Sequence, residues 1–322
     1  MISVVRLGSV SYSDGLRLQQ KLVDLRKRGQ IPDLLLLLEH TPVITLGRNA
    51  RAANILAPAE HLAARGVEVF ECDRGGDVTF HGPGQLVGYP ILDLRGFERS
   101  SEFSVLSSQK GSSQLQVPSS KQPSMGSLPV DRKTLGAVDY VRRLEEALIR
   151  TCGDFGIPTK RVAGLTGVWT EGEGRSESRD PSTTSEGSPR ESPNSAQDDI
   201  GSLGIGASEG EAKIAAIGVH ISRSITSHGF ALNVNTDLSY FNLIVPCGIT
   251  AKPVTSMQKE LGRGVEIDAV AHSLARNFGI AFARQILWLD TIDALLGQSV
   301  GVPMKPPAEI KNLHGGDDPF FA

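Results

Sequence analysis

The most constraining feature of this 322-residue chain is a glycine-rich segment that runs from Arg74 to Gln85. Glycine allows a backbone to approach a ligand closely, and proline stiffens the turn that contains it. The segment therefore predicts an irregular loop that presents backbone and polar groups to a bound small molecule. A tight β-turn with incidental polar groups is the alternative interpretation. A Walker A phosphate loop is excluded, because no Lys-Ser/Thr pair follows the glycines.

A single thiol, Cys247, lies between Pro246 and Gly248 in a second irregular segment. Nucleophiles are commonly displayed on such segments, although an isolated cysteine is more often a small buried hydrophobe. Lys213 begins an apolar strand predicted over 213–221, where a lysine usually lies at the surface. If Lys213 instead lies against Cys247, the ammonium favours the thiolate and the thiolate holds the proton on the lysine. The residues alone leave both interpretations open.

Composition and charge narrow the classes of function. The formal net charge is −3, and no cluster of Lys and Arg indicates a nucleic-acid or membrane surface. The longest apolar run, 34–38, is far too short to cross a bilayer. Three scattered cysteines do not form a disulfide framework, which favours an intracellular location. The histidines lack the spacing of a zinc site, so we expect no metal.

Hydrophobic periodicity predicts alternating strands and helices over the first ninety residues. Strands are predicted over 2–7, 34–40, 43–47, 67–71 and 85–94. Helices are predicted over 13–28 and 58–65. In the first of these helices, Ser13 is the expected N-cap and Gly29 the expected end.

The second half of the chain continues the mixture of helices and strands. A helix over 136–156 is expected to bury one face, formed by Val138, Val141, Leu144, Ala147 and Leu148. Strands over 213–221 and 229–234 are joined by a turn predicted over 223–228, and a helix follows near 267–278. The predicted class is α/β (α+β), with a mixed sheet flanked by helices.

Two segments, 99–134 and 171–211, interrupt this pattern. The first has paired serines and almost no periodicity, and the second has nine serines, ten acidic residues and no aromatic residue. Neither can bury enough apolar surface to offset the conformational entropy lost on folding, so both are predicted to be disordered insertions. We therefore expect one catalytic domain over 1–290, interrupted by these insertions, and a C-terminal tail over 291–322.

Taken in order, the motifs resemble those of the lipoyl(octanoyl) transferase family. The resemblance covers 34–48, 74–85, 213–218, 227–234 and 246–249. It implies the fold of biotin and lipoate ligases, with a catalytic tunnel beside the glycine-rich loop. It also implies transfer of an octanoyl group, without a cofactor, from acyl carrier protein to lipoyl domains of 2-oxoacid dehydrogenases and the glycine cleavage H protein.

The resemblance also implies roles for individual residues. Cys247 corresponds to the nucleophile that forms an acyl thioester, and Lys213 to the partner that lowers the pKa of the thiol. The implied substrate-binding residues are Arg74, Gly75, Gly76, Asp77, Val78, Thr79, Phe80, His81, Ala216, Ile217, Gly218, Gly229, Phe230 and Ala231. The role of His81 as general base, oxyanion donor or positioning residue stays open. We expect Ile217, Val219 and Phe230 to line an apolar slot for the octanoyl chain.

The predicted insertions bear on origin and location. They have no counterpart in compact bacterial members of the family, which indicates a eukaryotic protein that works in mitochondria, or an imperfect gene model. The N-terminus nevertheless shows no presequence, so a cytoplasmic location is the alternative. Two rival functions share the fold. An ATP-dependent lipoate or biotin ligase needs no nucleophilic cysteine, and a non-catalytic binder of lipoyl domains does not depend on Cys247.

Overall fold

The computed structural model describes residues 1–97, 134–171, 210–246 and 252–297. Most of the two predicted insertions, Cys247 and most of the predicted C-terminal tail lie outside these residues. The strands are β1 (Ile2–Val10), β2 (Leu34–His40), β3 (Val43–Leu46), β4 (Glu68–Glu71), β5 (Val78–His81), β6 (Gln85–Ile91), β7 (Thr159–Val162), β8 (Leu165–Thr170), β9 (Lys213–Ser222), β10 (Ile225–Asn233) and β11 (Ile286–Leu289). The α-helices are α1 (Tyr12–Lys27), α2 (Ala59–Ala64), α3 (Ala137–Asp154), α4 (Met257–Leu261), α5 (Ile267–Phe282) and α6 (Ala294–Gly297).

Eight strands form a mixed sheet in the order β11-β1-β2-β6-β10-β9-β8-β7. β1 is parallel to both of its neighbours, and the remaining pairs are antiparallel. A smaller sheet has the order β4-β3-β5. The connection from β5 to β6 is the end of the glycine-rich segment, which therefore joins the two sheets.

Helices cover both faces of the large sheet. Leu18 and Leu22 of α1 pack with the buried leucines of β2 on one face. α3 and α5 pack on the other face, where Leu144 and Phe278 belong to the same apolar core as Leu86. The side chains of β2 are buried on both faces, which explains its run of five leucines. The predicted class, an α/β (α+β) domain with a mixed sheet flanked by helices, is confirmed.

Several local predictions were wrong. The N-cap of α1 is Ser11 rather than Ser13, because the Ser11 side chain accepts a hydrogen bond from the backbone nitrogen of Asp14. Val138 is 71% exposed. It lies nine residues from Ala147, which places the two on opposite sides of a helix with 3.6 residues per turn.

The connection between β9 and β10 is also shorter than predicted. Arg223 and Ser224 alone form the turn, and both have positive φ angles, of 51° and 65°. Such a two-residue turn matches the twist of the flanking strands, so the hairpin pairs immediately on either side. The strands β7, β8 and β11 were not predicted, and neither was β5, which lies within the segment that was expected to be an irregular loop.

Candidate active site

A cavity lies between the central strands of the large sheet and the glycine-rich segment that leads through β5. Eleven of the fourteen predicted substrate-binding residues line it: Arg74, Gly76, Asp77, Thr79, His81, Ala216, Ile217, Gly218, Gly229, Phe230 and Ala231. The glycine-rich segment and the β9–β10 hairpin, far apart in the sequence, therefore face the same space.

The other three predicted residues lie beside the cavity without lining it. Val78 and Phe80 alternate with Thr79 along β5 and point into the core of the small sheet, where Phe80 stacks on Tyr240 with ring centroids 4.6 Å apart. The backbone nitrogen of Gly75 donates to the carbonyl oxygen of Val219 over 3.0 Å. Val219 thus anchors the loop through its backbone and was wrongly expected to line the slot.

Small residues on β9 and β10 form one wall of the cavity. Gly218 pairs with Gly229, and Ala216 pairs with Ala231, in the antiparallel register of these strands. A Cβ atom at Gly218 would lie only 2.8 Å from the carbonyl oxygen of Gly75. Glycine at this position therefore allows the loop to lie directly against β9.

The buried guanidinium group of Arg74 holds the loop in place. Its Nη2 donates to the carbonyl oxygens of Thr45 and Asp77, each over 2.8 Å, and its Nη1 donates to the carbonyl oxygen of Gly75 over 3.1 Å. These acceptors are neutral, so the contacts satisfy the donors without neutralising the charge. Arg74 therefore stabilises the loop and supplies a positive charge at the cavity.

A directed chain of hydrogen bonds fixes the tautomer of His81. Nε2 of Gln85 donates to the carbonyl oxygen of Phe80 over 3.2 Å and to Oδ1 of Asn233 over 2.9 Å. Asn233 in turn donates to the carbonyl oxygen of Thr255. Oε1 of Gln85 must therefore accept, and it accepts from Nδ1 of His81 over 2.7 Å. This leaves Nε2 of His81 as an acceptor.

Burial keeps the histidines at this site neutral. Burial first, and then the nearby His40 and Arg74, lower the pKa of His81 to about 3. Burial also lowers the pKa of His40 to about 4. A histidine whose pKa lies so far below 7 is a weak general base near pH 7, and this arrangement favours a positioning role through Nε2.

Tyr12 and Tyr89 also line the cavity, although the sequence analysis did not identify them. The hydroxyl of Tyr89 lies 2.6 Å from Nε2 of His40, whose Nδ1 lies 2.9 Å from the carbonyl oxygen of Val10. Nδ1 must donate to that carbonyl, so Nε2 accepts from Tyr89. Burial raises the pKa of both tyrosines, so this part of the cavity carries no charge from them.

Val87 and His228 are further lining residues that were not identified. Two signals were present in the sequence. Val87 and Tyr89 share one face of β6 with Gln85, because side chains alternate along a strand. His228 belongs to one of the motifs that carry the family resemblance, and its Nε2 lies 2.7 Å from Oδ1 of Asp73.

Lys213 lies in a second cavity that shares part of its wall with the first. Thr79, Ala216 and Ala231 line both cavities, and Pro246 lines the second one together with Lys213. Lys213 is 8% exposed, so it is a buried residue rather than a surface one.

The stem and the ammonium group of Lys213 are held by β8. A Cβ atom at Gly167 would lie 2.7 Å from Cε of Lys213, so only glycine leaves room for the stem. The ammonium nitrogen lies 5.2 Å from the centroid of the Trp169 ring, a cation–π distance.

Cys247 lies outside the described residues, one position after Pro246. Among the described residues, no group of three or more His, Cys, Asp or Glu side chains could hold a metal ion.

Comparison with known proteins places these features in a family. Residues 11–109 and 124–279 match the family model described as the lipoyl protein ligase A/B catalytic domain. The chain is 49% identical over 317 residues to an octanoyltransferase of Koribacter versatilis, with 98% of each chain covered. It is 48% identical over 298 residues to an octanoyltransferase of Acidobacterium capsulatum, which covers 92% of this chain and 96% of the relative.

A solved structure shows the same fold. The bipartite lipoate protein ligase of Thermoplasma acidophilum is similar to this chain with a TM-score of 0.53 and 14% identity, covering 90% of this chain and 86% of the ligase. The prediction of a lipoate ligase-like fold is thereby confirmed.

The relatives do not support the expectation of a eukaryotic, mitochondrial protein. Both of those named above are bacterial. The alignment with the Koribacter versatilis protein covers 98% of both chains, so a bacterial relative has about the same length. The segments predicted as insertions therefore do not indicate a eukaryotic origin. No helix within the described residues is long and apolar enough to cross a membrane.

Proposed function

Because the chain belongs to the family of lipoyl protein ligase A/B catalytic domains, we propose that it is an octanoyltransferase that moves an octanoyl group from acyl carrier protein to a lysine of lipoyl domains. The acceptors are those of 2-oxoacid dehydrogenases and the glycine cleavage H protein. The observation that carries this proposal is that two neighbouring cavities share Thr79, Ala216 and Ala231 in their walls. One combines an apolar wall, which includes Val87 and Ala231, with the positive charge of Arg74, and the other holds the buried ammonium group of Lys213.

In the first step, the thiolate of Cys247 attacks the carbonyl carbon of the octanoyl thioester on the carrier protein. A new carbon–sulfur bond forms, the bond to the carrier sulfur breaks, and the carrier thiolate leaves with the proton of the Lys213 ammonium group, which leaves Lys213 neutral. One thioester replaces another, so the step is nearly isoenergetic and requires no ATP. The position of Pro246 in the cavity of Lys213 supports this role for the residue that follows it.

In the second step, the neutral amine of the acceptor lysine attacks the acyl group on Cys247. An amide bond forms, the Cys247 thiolate leaves, and the amine loses one proton. Lys213 takes up this proton in its neutral form, and as an ammonium group it stabilises the regenerated thiolate. Conversion of a thioester to an amide is downhill, so it also needs no cofactor.

The cavity suits the octanoyl chain where its wall is formed by apolar or neutral side chains. Ala231 and Val87 are buried, and His40 and His81 remain neutral at pH 7. Burial of the seven-carbon tail contributes roughly 5 to 6 kcal/mol of gross binding free energy, at about 0.8 kcal/mol for each methylene. This is enough to favour a medium-length chain over a short one.

The decisive experiment supplies octanoyl carrier protein and a lipoyl domain without ATP. We expect the intact mass of the lipoyl domain to increase by one octanoyl group in place of one hydrogen. The Cys247→Ser variant is expected to lose this activity. Transfer that requires free octanoate and ATP would instead identify a ligase, which is relevant because the fold is shared with lipoate ligases. Binding of the lipoyl domain with no mass change would identify a non-catalytic binder.

A further inference from the structure

We infer that Tyr12 and Tyr89 form the inner wall of the cavity and limit the acyl chain to the length of an octanoyl group. This inference rests on the proposed function, and it concerns which residues select the length of the substrate. It follows from the burial, the register and the hydrogen bonding of the residues around the cavity.

Burial shows which end of the cavity is closed. Tyr12 is 2% exposed and Tyr89 is 4% exposed. At the other side, Ala216 and Gly218 are only partly buried, and Gly76 is exposed. A ligand therefore enters past the glycine-rich loop and β9, and its inner end meets the two tyrosines.

The shared walls of the two cavities give the direction of the chain. Thr79, Ala216 and Ala231 line both the inner cavity and the cavity of Lys213, whereas Tyr12 and Tyr89 line the inner cavity alone. An acyl group whose carbonyl lies beside Lys213 therefore directs its methyl end towards the tyrosines.

The register of β6 gives the available length. Gln85 lines the cavity of Lys213, and Tyr89 lies four residues further along the same strand and on the same face. At about 3.3 Å per residue, the distance along β6 from Gln85 to Tyr89 is roughly 13 Å. The van der Waals separation between the acyl chain and the tyrosine wall takes about 4 Å of this, so roughly 9 Å remains for the chain. An extended octanoyl chain, with seven carbon–carbon bonds of about 1.5 Å in a zigzag, also spans roughly 9 Å. A decanoyl chain is about 2.5 Å longer, and the two tyrosine rings leave no space for this extra length.

Hydrogen bonds and ring contacts hold the wall in place. The hydroxyl of Tyr89 donates to His40 over 2.6 Å, and His40 is tied to the backbone of β1. The ring of Tyr12 stacks on that of His81, with centroids 6.4 Å apart and planes within 5°. Neither ring can turn aside without breaking these contacts, so the wall resists a longer chain.

The test offers hexanoyl, octanoyl, decanoyl and dodecanoyl thioesters of N-acetylcysteamine in equimolar competition and measures the acyl adducts on the protein by intact mass. For wild type we expect octanoyl to exceed hexanoyl about tenfold, from the loss of two buried methylenes, and to exceed decanoyl by at least as much. Tyr89→Leu and Tyr12→Leu shorten the wall, so each is expected to raise the decanoyl-to-octanoyl ratio at least tenfold. Tyr89→Phe keeps the ring and is expected to keep the wild-type ratio, even if the loss of the His40 contact slows the reaction.

If either leucine variant fails to fold, a variant that narrows the cavity, and so favours shorter acyl chains, still tests the inference. Ala231→Val narrows the cavity between its two ends and is expected to shift the preference towards hexanoyl. The inference is overturned if wild type shows no length preference, or if folded leucine variants keep the wild-type ratio. Absence of an adduct on wild type at every chain length would contradict the proposed function itself. This outcome differs from failure of the length inference, in which adducts form without the expected preference.

Discussion

The ammonium nitrogen of Lys213 lies 5.2 Å from the centroid of the Trp169 ring, and both side chains are buried. The Trp169 ring thereby holds the ammonium group of Lys213 at a cavity that Pro246 also lines. Pro246 directly precedes Cys247, the proposed nucleophile. The contact with Trp169 helps to hold Lys213 at this cavity, and replacing Lys213 tests its effect on the thiol.

Replacing Lys213 should change the reactivity of Cys247 according to charge. Lys213→Met keeps the stem and removes the charge, so the pKa of the thiol is expected to rise towards its free value of about 8.5. Lys213→Arg keeps the charge but does not readily exchange a proton, so it should preserve alkylation while slowing aminolysis. The measurement is the rate of iodoacetamide reaction against pH. Superimposable curves for wild type and Lys213→Met would show that the lysine does not tune the cysteine.

Gly167→Ala should displace Lys213 without changing its chemistry. The added Cβ atom would lie 2.6 Å from the carbonyl oxygen of Ala215 and 2.7 Å from Cε of Lys213, and Gly167 has a φ of 125°. We expect a loss of transfer rate together with destabilisation of at least about 1 kcal/mol. Gly153→Ala is the matched control, because nothing lies within 4 Å of its Cβ position and alanine favours a helix by up to about 1 kcal/mol. Thermal unfolding and transfer rates are measured on Gly167→Ala and on Gly153→Ala. If the two variants have the same stability and the same transfer rate, the steric argument is contradicted.

The buried histidines predict a loss of stability in mild acid. The pKa values of His40 and His81, about 4 and about 3, lie below the value of about 6.5 in an unfolded chain. The unfolded chain therefore binds more protons between pH 6.5 and 4, and the free energy of unfolding falls as the pH falls through this window. His40 alone is expected to contribute about 3 kcal/mol of this loss by pH 4.

Urea unfolding at several pH values measures this effect. The slope of unfolding free energy against pH should be smaller for His81→Gln than for wild type, whatever the absolute stability of the variant. His61 is exposed on α2, so His61→Gln is the matched control and should keep the wild-type slope. A stability that does not change between pH 6.5 and 4.5 would rule out buried neutral histidines.

Deleting residues 175–208 should preserve activity. The chain on either side of this segment is already held together, because the backbone nitrogen of Thr170 donates to the carbonyl oxygen of Ala212 over 2.9 Å. A short turn can therefore replace the segment, which we propose to be a dispensable insertion in a single catalytic domain. We expect transfer rates within a few-fold of wild type and the loss of a protease-sensitive region. Failure of the shortened chain to fold would show that the segment is structural.

Local sequence patterns predicted those strands and loops whose conformation is determined by their own residues. The strand β2 was predicted with its observed bounds, because a run of five leucines between turn signals permits little else. The glycine-rich loop was likewise expected to face a ligand, because its glycines allow close approach. In contrast, β7 and β11 are four-residue strands without clear alternation, and their pairing is decided by neighbours far away in the sequence.

The missed parts of the site depend on tertiary contacts. Tyr12 and Tyr89 are 77 positions apart and meet only because β6 pairs with β2, whose His40 contacts both rings. The contact of Lys213 with Trp169 likewise requires the pairing of β8 with β9. The inward direction of Phe80 was missed for a different reason: residues 78–81 were expected to belong to an irregular loop, whereas they form β5, in which Val78 and Phe80 alternate with Thr79.

The most direct test of the account is the site of acylation after exposure to octanoyl carrier protein. Cys152 is fully buried, and burial raises the pKa of its thiol to about 12, so it should not react. Cys72, whose thiol donates to the carbonyl oxygen of Leu46, is the second internal control. We predict a hydroxylamine-labile octanoyl adduct on the peptide that contains Cys247, lost in Cys247→Ser. An adduct on Cys72 or Cys152, or transfer that survives in Cys247→Ser, would contradict the account.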